Sequence, residues 1–169
     1  MGSDGHNLTA THDELTGLVS RSVFTVVADH AVRRAHREGE FVSLLCLDLD
    51  DLEGINEHFG RDVGDIALIE FGELLRRELR GSDVVARVGG DEFAVLLPQT
   101  DPRQATVVIE HFSAVLMARK QDLGHPYVLT ARVGSATIDP SFELGSLCEL
   151  FEEAKRDASR EAGDPPAWE

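Results

Sequence analysis

Residues 84–98 decide the interpretation of this chain, and they read Val-Val-Ala-Arg-Val-Gly-Gly-Asp-Glu-Phe-Ala-Val-Leu-Leu-Pro. Two runs of β-prone residues, 84–88 and 93–98, flank Gly-Gly-Asp, a composition typical of turns. The segment therefore predicts a tight β-hairpin. An ordinary turn does not explain why two carboxylates, Asp91 and Glu92, stand side by side at its tip. The tip of the hairpin is a candidate functional site.

A second group of carboxylates ends the run 41–48, which is largely apolar and predicts a buried central strand. Asp48 and Asp50 would point to the same side of that strand, because side chains alternate along it. We expect both beside the hairpin tip. Carboxylates brought together repel one another unless a cation neutralises them. Oxygen ligands favour Mg²⁺ or Mn²⁺, and Mg²⁺ usually completes its shell with substrate phosphates. These carboxylates thus indicate a metal–nucleotide site.

Hydrophobic periodicity places the other elements around this hairpin. The predicted helices lie at 23–37, 62–80, 102–120 and 145–161, with a strand at 127–138 and a turn at 56–60. Without the first and last helices, the order is β-α-β-β-α-β, the pattern of a ferredoxin-like α+β fold with an antiparallel central sheet. The residues expected on the periodic apolar faces are Val23, Val26, Val27, Ala31 and Ala35 in the first helix, and Ile66, Ala67, Phe71, Leu74, Leu75 and Leu79 in the second.

The composition is that of one globular domain of 169 residues. We expect a flexible lead-in at 1–11, the domain at 12–161 and a flexible tail at 162–169. A net charge of −15 argues against binding a nucleic-acid polymer or contacting an anionic membrane, since both need Lys and Arg. Cysteines and histidines lack zinc-ligand spacing, and Cys46 is expected in the core. Without a signal peptide or a membrane-length apolar run, the expected location is cytoplasmic.

Several motifs together resemble the GGDEF domain family of diguanylate cyclases, and the resemblance covers about residues 13–159. The motifs are Arg-Val-Gly-Gly-Asp-Glu-Phe at 87–93, Asp-Glu-Leu-Thr-Gly-Leu at 13–18, Leu-Asp-Leu-Asp at 47–50, Ile-Asn at 55–56 and Gly-Asp at 64–65. The resemblance implies the nucleotidyl-cyclase-like fold and the condensation of two GTP molecules into cyclic di-GMP. It also implies a homodimer, because each domain would hold one GTP, and a longer sensor protein around the domain.

The resemblance assigns metal and catalytic roles to the strand end and the hairpin. Asp48 and Asp91 would bind Mg²⁺ (or Mn²⁺), assisted by the backbone carbonyl of Leu49. Asp91 or Glu92 would help to deprotonate the attacking 3′-hydroxyl. The metal would stabilise charge on the attacking and leaving oxygens.

The resemblance also implies five contacts to the nucleotide. Gly89 and Gly90 would let the backbone approach the triphosphate, which a side chain would block. Asn56 and Asp65 would read guanine, because a carboxylate accepts from its N1–H and amino group together, and adenine lacks that pair of donors. Lys155 would hold the triphosphate. Taken alone, Asp65 is also consistent with a helix-start carboxylate, and Lys155 with a solvated surface lysine.

The sequence Arg-Gly-Ser-Asp at 80–83 is a separate candidate. On its own it is weak evidence, because a helix end followed by a glycine and a turn has the same composition. Its position upstream of the hairpin resembles the family's inhibitory product-binding site, where Arg80 and Asp83 would bind cyclic di-GMP. A planar guanidinium suits phosphate and guanine edges.

Two positions depart from the family's phosphate-binding pattern. Glu53 stands where a phosphate-contacting lysine is usual, and Ser159 where an arginine is expected. These departures leave open an alternative, a weak or silent regulatory module that binds GTP or cyclic di-GMP. A purely structural dimerisation domain is a third possibility. The intact Asp48, Asp91 and Glu92 favour the enzyme.

Overall fold

The computed structural model describes residues 10–120, 126–141 and 146–161, which form five strands and five helices. The strands are β1 (Val19–Ser20), β2 (Val42–Leu49), β3 (Val84–Arg87), β4 (Glu92–Pro98) and β5 (Ala131–Ile138). The helices are α1 (Arg21–Glu38), α2 (Leu52–Phe59), α3 (Arg61–Glu78), α4 (Pro102–Lys120) and α5 (Leu147–Glu161).

The strands form one sheet in the order β1-β3-β4-β2-β5. The four longer strands pair antiparallel and are connected as β-α-β-β-α-β. The predicted ferredoxin-like α+β fold is therefore confirmed. The two-residue edge strand β1, which was not predicted, adds one parallel pair with β3 and makes the sheet mixed.

The register of β2 positions the candidate site. β2 lies between β4 and β5, and the Cα of Asp48 stands opposite Glu92 on one side and Arg132 on the other. The connection between β3 and β4, residues 88–91, therefore lies at the end of the central strand where Asp48 is found.

Two apolar layers cover the two faces of the sheet. The layer under α1 and α5 includes Phe24, Ala28, Val32, Cys46, Leu150 and Ala154. The layer under α3 and α4 includes Phe71, Leu74, Leu75, Phe93, Phe112 and Leu116. Cys46 is only 6% exposed, so its predicted place in the core is confirmed.

The predicted apolar face of α1 was partly wrong. Its buried residues are Phe24, Ala28, Val32 and Ala35. Val26 and Val27 are 70% and 37% exposed instead. The segment 23–27 is almost continuously apolar, so periodicity alone does not fix the buried side. Ile66 in α3 is likewise 50% exposed, because the buried stripe of that helix follows Ala67, Leu68, Phe71 and Leu75.

The predicted turn at 56–60 was also wrong, because α2 occupies most of it. Gly60 ends α2 with a φ of 92° and donates its N–H to the carbonyl of Asn56 at 2.9 Å. That φ favours glycine, so Gly60 separates α2 from α3. A short helix with Ile55 alone buried has too little hydrophobic pattern to be predicted.

The predicted domain limits stay a prediction. Residues 1–9 and 162–169 of the expected lead-in and tail lie outside the described residues. Of the lead-in that is described, Ala10 accepts a hydrogen bond from the Ser20 hydroxyl at 2.7 Å and Thr11 accepts one from the Ser20 N–H at 3.1 Å. Across the described ranges, none of the helices has the length and hydropathy needed to cross a bilayer.

Candidate active site

A charged network anchors the hairpin tip. Arg87 donates from Nε and Nη2 to the carbonyl oxygen of Gly90 at 3.1 and 2.7 Å, and its Nη1 contacts Asp13 at 3.2 Å. Asp13 also accepts hydrogen bonds from the N–H and the hydroxyl of Thr16 at 2.8 and 2.7 Å. Burial raises the pKa of Asp13, but the Thr16 hydrogen bonds and the Arg87 charge outweigh it and hold the pKa below its usual value. Asp13 thus holds Arg87 in place, and Arg87 in turn holds the hairpin turn at Gly90.

The two hairpin glycines serve different needs. A Cβ at Gly89 would stand 2.5 Å from Oε2 of Glu92, so glycine there leaves room for the Glu92 side chain. A Cβ at Gly90 would meet nothing within 4 Å, and neither glycine has a positive φ. The space over Gly90 is open, as its predicted role requires. At Gly89 the closeness of Glu92 is a further reason for glycine, and the predicted approach of its backbone to the triphosphate stays a prediction.

A backbone hydrogen bond joins the strand end to the hairpin. Leu49 donates its N–H to the carbonyl of Asp91 at 2.9 Å. Asp48, the residue before Leu49, is paired with Glu92 in the ladder between β2 and β4. Four residues predicted from distant motifs are therefore held together by the sheet itself.

The electrostatics of Asp48 reflect crowding of negative charge. Burial raises the pKa of Asp48, and the charge of Arg132 opposes that rise. The neighbouring carboxylates of Asp91, Glu92 and Asp50 raise it again, so the pKa of Asp48 stays above its ordinary value. A cation at this position would relieve the repulsion.

The donor set fits a hard divalent cation. No group of three His, Cys, Asp or Glu side chains in the described part of the chain could hold a metal by itself. The predicted ligands are instead two carboxylates, of Asp48 and Asp91, and the carbonyl of Leu49. Mg²⁺ is typically held by one or two carboxylates and completes its shell with water and substrate phosphates. Two carboxylates and one carbonyl are enough for that mode of binding.

Close packing of α5 on β5 brings Lys155 to the hairpin. A Cβ at Gly134 would collide with the backbone of Ala154 and Ala158, so the helix lies directly on the strand there. The carboxylate of Asp157 accepts the N–H of Ser135 at 2.9 Å and fixes the same contact. Lys155 Nζ consequently reaches Oε1 of Glu92 at 3.2 Å.

A cavity of about 120 Å³ opens between these elements, and Asp48, Glu92, Arg132, Lys155 and Ser159 are among its lining residues. Arg132 contacts Asp48 at 2.6 Å and Asp50 at 3.1 Å. Sequence reasoning missed Arg132, since only the register of β5 against β2 shows that it faces Asp48. The one available signal was a charged residue inside a β-prone stretch.

The predicted guanine readers lie on α2 and α3. Both Asn56 and Asp65 are half-buried. The side-chain oxygen of Asn56 fills the space where a Cβ at Gly64 would stand, which places it beside the residue preceding Asp65. Glu53 is exposed in the first turn of α2.

Arg80 and Asp83 lie in a different groove. α3 ends at Glu78, before the predicted helix end at Arg80. Asp83 accepts the backbone N–H of Arg80 at 2.9 Å, and its own N–H donates to the Arg80 carbonyl at 3.0 Å. Both residues, with Arg76, line a groove of about 520 Å³ that does not include Asp48 or the hairpin carboxylates.

Comparison with known proteins agrees with the sequence motifs. Residues 10–163 match the family described as "Diguanylate cyclase, GGDEF domain". The chain is similar to diguanylate cyclase DgcS of Shewanella oneidensis, with 33% identity over 143 residues, 85% of this chain and 47% of that protein. It is also similar to diguanylate cyclase DgcP of Pseudomonas aeruginosa, with 33% identity over 156 residues, 92% of this chain and 23% of that protein. The chain thus spans less than half the length of these relatives.

Solved structures show the same architecture. The GGDEF domain of DgcB from Caulobacter crescentus, determined in complex with c-di-GMP, matches with a TM-score of 0.81 and 25% sequence identity. The match covers 90% of this chain and 87% of that one.

Proposed function

Because this chain belongs to the diguanylate cyclase GGDEF domain family, we propose that it condenses two GTP molecules into cyclic di-GMP and two pyrophosphates. The observation that carries the proposal is the meeting of Asp48, Asp91 and Glu92 at the end of β2. In each of two equivalent steps, the 3′-hydroxyl oxygen of one GTP bonds to the α-phosphorus of the other. The bond from that phosphorus to pyrophosphate breaks, and the hydroxyl proton passes to a carboxylate.

Mg²⁺, or Mn²⁺ in its place, would be held by Asp48, Asp91 and the carbonyl of Leu49. When bound, it would stabilise charge on the attacking and leaving oxygens. The protein would present these groups from the end of β2, which carries Asp48 and Leu49, and from the neighbouring hairpin turn, which carries Asp91. The hydrogen bond from the Leu49 N–H to the Asp91 carbonyl holds the turn against the end of β2.

Asp91 or Glu92 would accept the proton. Glu92 contacts Lys155 at 3.2 Å, so a triphosphate that takes Lys155 would release the Glu92 carboxylate for this task. The same exchange would supply Lys155 to the phosphates, which is the role that the family resemblance implies for it. Substrate binding and freeing of the base would then be one event.

The half-buried Asn56 and Asp65 would select guanine over adenine. A partly desolvated carboxylate left without donors is costly, so ATP would be rejected. Gly89 and Gly90 would allow the hairpin backbone to approach the phosphates closely. The space over Gly90 is open, and glycine at position 89 also leaves room for the Glu92 side chain.

One domain would hold one GTP, so catalysis would need a homodimer with the two sites facing each other. Product inhibition is assigned to Arg80 and Asp83, whose groove lies apart from the carboxylates. The domain would act inside a longer sensor protein, in the cytoplasm, without contacting membrane or nucleic-acid polymers. The net charge of −15 supports the absence of contact with nucleic-acid polymers.

The alternative of a silent binding module is not favoured. The observations that supported this alternative were the departures from the phosphate-binding pattern at Glu53 and Ser159. Glu53 is exposed and can turn away from a phosphate, and the Ser159 hydroxyl donates to the Lys155 carbonyl at 2.9 Å. The relatives named above are diguanylate cyclases. The carboxylates proposed for that reaction, those of Asp48, Asp91 and Glu92, are present in this chain.

The test is turnover of GTP with Mg²⁺ by the protein and by Asp91→Asn. We expect the substitution to lower product formation at least about a hundredfold, since it removes a metal ligand. Asp29→Asn, at an exposed pair with Arg33, is the matched control and should keep activity. Normal activity of Asp91→Asn would refute the metal-ligand assignment.

A further inference from the structure

Arg132 occupies an unusual position among the charged residues of the site. It lies in β5 directly opposite Asp48. Its Nη2 donates to Oδ2 of Asp48 at 2.6 Å, and its Nε to Oδ1 of Asp50 at 3.1 Å. The Arg132 side chain is 41% exposed, so the guanidinium lies at the rim of the site and has room to move.

The Asp48 contact makes Arg132 a competitor of a divalent cation. Asp48 is a proposed metal ligand, and one of its two oxygens already accepts a short charge-assisted hydrogen bond. A divalent cation next to a guanidinium would also be repelled by it. Binding of the cation at Asp48 would therefore weaken this contact and favour movement of Nη2 of Arg132 away from Asp48.

The displaced guanidinium has a suitable acceptor nearby if a triphosphate is bound. Arg132 and Lys155 are the cationic residues among those that line the cavity at Asp48 and Glu92 in the described part of the chain. At the neighbouring lining position 159 there is a serine, whose hydroxyl is engaged by the Lys155 carbonyl at 2.9 Å. A planar guanidinium matches phosphate oxygens in a bidentate manner, and Asp50 can keep Nε anchored meanwhile.

We propose that Arg132 is a triphosphate-binding residue that exchanges its contact with Asp48 for phosphate oxygens when a divalent cation takes Asp48. The proposal rests on the proposed nucleotide site and adds to it one positively charged side chain, that of Arg132 in β5. It predicts effects of opposite sign on two affinities. Loss of the Arg132 charge should raise the affinity for the divalent cation in the absence of nucleotide and lower the affinity for the triphosphate. If Arg132 were only a structural contact, its loss should lower both affinities.

The experiment compares the protein with Arg132→Gln in two binding assays. Mn²⁺ affinity without nucleotide is measured by electron paramagnetic resonance of free Mn²⁺. Affinity for a GTP analogue with a methylene bridge between the α- and β-phosphates is measured by calorimetry with Mn²⁺ present. We expect about fivefold tighter Mn²⁺ binding in Arg132→Gln and about tenfold weaker binding of the analogue.

Two further variants control the result. Arg156→Gln removes an exposed arginine on α5, whose Nε bonds the Glu152 carbonyl, and should change neither affinity. Arg132→Lys keeps the charge, so Mn²⁺ affinity should stay near that of the unchanged protein while analogue affinity is partly restored. In an Asp48→Asn background, Arg132→Gln should no longer tighten Mn²⁺ binding.

The outcomes separate this inference from the proposed function. If the unchanged protein binds both Mn²⁺ and the analogue, but the two affinities do not move in opposite directions in Arg132→Gln, the role of Arg132 is refuted and the site stands. If the unchanged protein binds neither, the nucleotide site itself is refuted, and the inference with it.

Discussion

Replacing Gly134 by alanine should disrupt the close packing of α5 on β5, which places Lys155 beside the hairpin. An ideal Cβ at Gly134 would stand 2.8 Å from the Cα of Ala158, and closer still to the Ala154 carbonyl oxygen and the Ala158 nitrogen. Real Cβ atoms essentially never come within 3.0 Å of a heavy atom outside their own residue and its chain neighbours. The obstacle is backbone, which cannot rotate aside as a side chain can, so α5 must move off β5 as a unit.

The expected cost is that of an overpacked core with a displaced helix. We expect the free energy of unfolding to fall by about 3 kcal/mol. For a domain of this size the melting temperature should fall by about 6–12 °C. Because Lys155 reaches Glu92 at 3.2 Å from this helix, kcat/KM for GTP should also fall at least about tenfold.

Calorimetric melting and steady-state kinetics of Gly134→Ala measure both effects. Gly81→Ala is the matched control for stability, since a Cβ at Gly81 meets nothing within 4 Å and no positive φ is required there. It should change the unfolding free energy by less than about 0.5 kcal/mol. If Gly134→Ala melted within about 2 °C of the unchanged protein, the close packing of α5 on β5 would be wrong.

Three other predictions concern titration and product binding. Burial raises the pKa of the Cys46 thiol to about 12, so a thiol reagent at pH 8 should label the exposed Cys148 rapidly and Cys46 only after denaturation; equal labelling rates would contradict this. The pKa of Asp48 is raised in the folded protein, so its charge destabilises the fold above its unfolded pKa, and this effect disappears as pH falls below that value. Asp48→Asn should therefore raise the melting temperature at pH 7 in buffer with chelator and have little effect at pH 3. A lower melting temperature of Asp48→Asn at pH 7 would contradict the claim that the Asp48 charge destabilises the fold. Arg80→Ala should weaken binding of cyclic di-GMP at least about tenfold by calorimetry, and unchanged affinity would exclude a role of the Arg80 side chain in product binding.

The hairpin and the central strand could be predicted because each has a strong local signal. Gly-Gly-Asp between two β-prone runs specified the turn, and the apolar run ending at Asp48 specified a strand buried on both faces. Once the order of elements matched a ferredoxin-like sheet, the closeness of Asp48 and Glu92 followed from topology. The α4 boundaries were predicted as well, since Asp101 caps the Gln104 N–H at 2.9 Å and Pro102 opens the helix.

What could not be predicted depended on register and on tertiary packing. Arg132 faces Asp48 only because β5 pairs with β2 at one particular register, and nothing local encodes that register. α2 has one buried residue, and its polar sequence around Asn56 resembles a turn. Val26 and Val27 were misplaced because a nearly continuous apolar run allows more than one buried face, and packing of Phe24 against Phe151 on α5 decides which one is used.

Synthesis of cyclic di-GMP by the domain, held as a dimer through a fused coiled coil, tests the central claim most directly. The protein is first freed of bound product, then incubated with GTP and Mg²⁺, and cyclic di-GMP and pyrophosphate are both quantified. The account predicts cyclic di-GMP by mass spectrometry, with two pyrophosphates for each product molecule, and none with ATP as substrate. A dimer that binds GTP with Mg²⁺ but forms no cyclic di-GMP would contradict it.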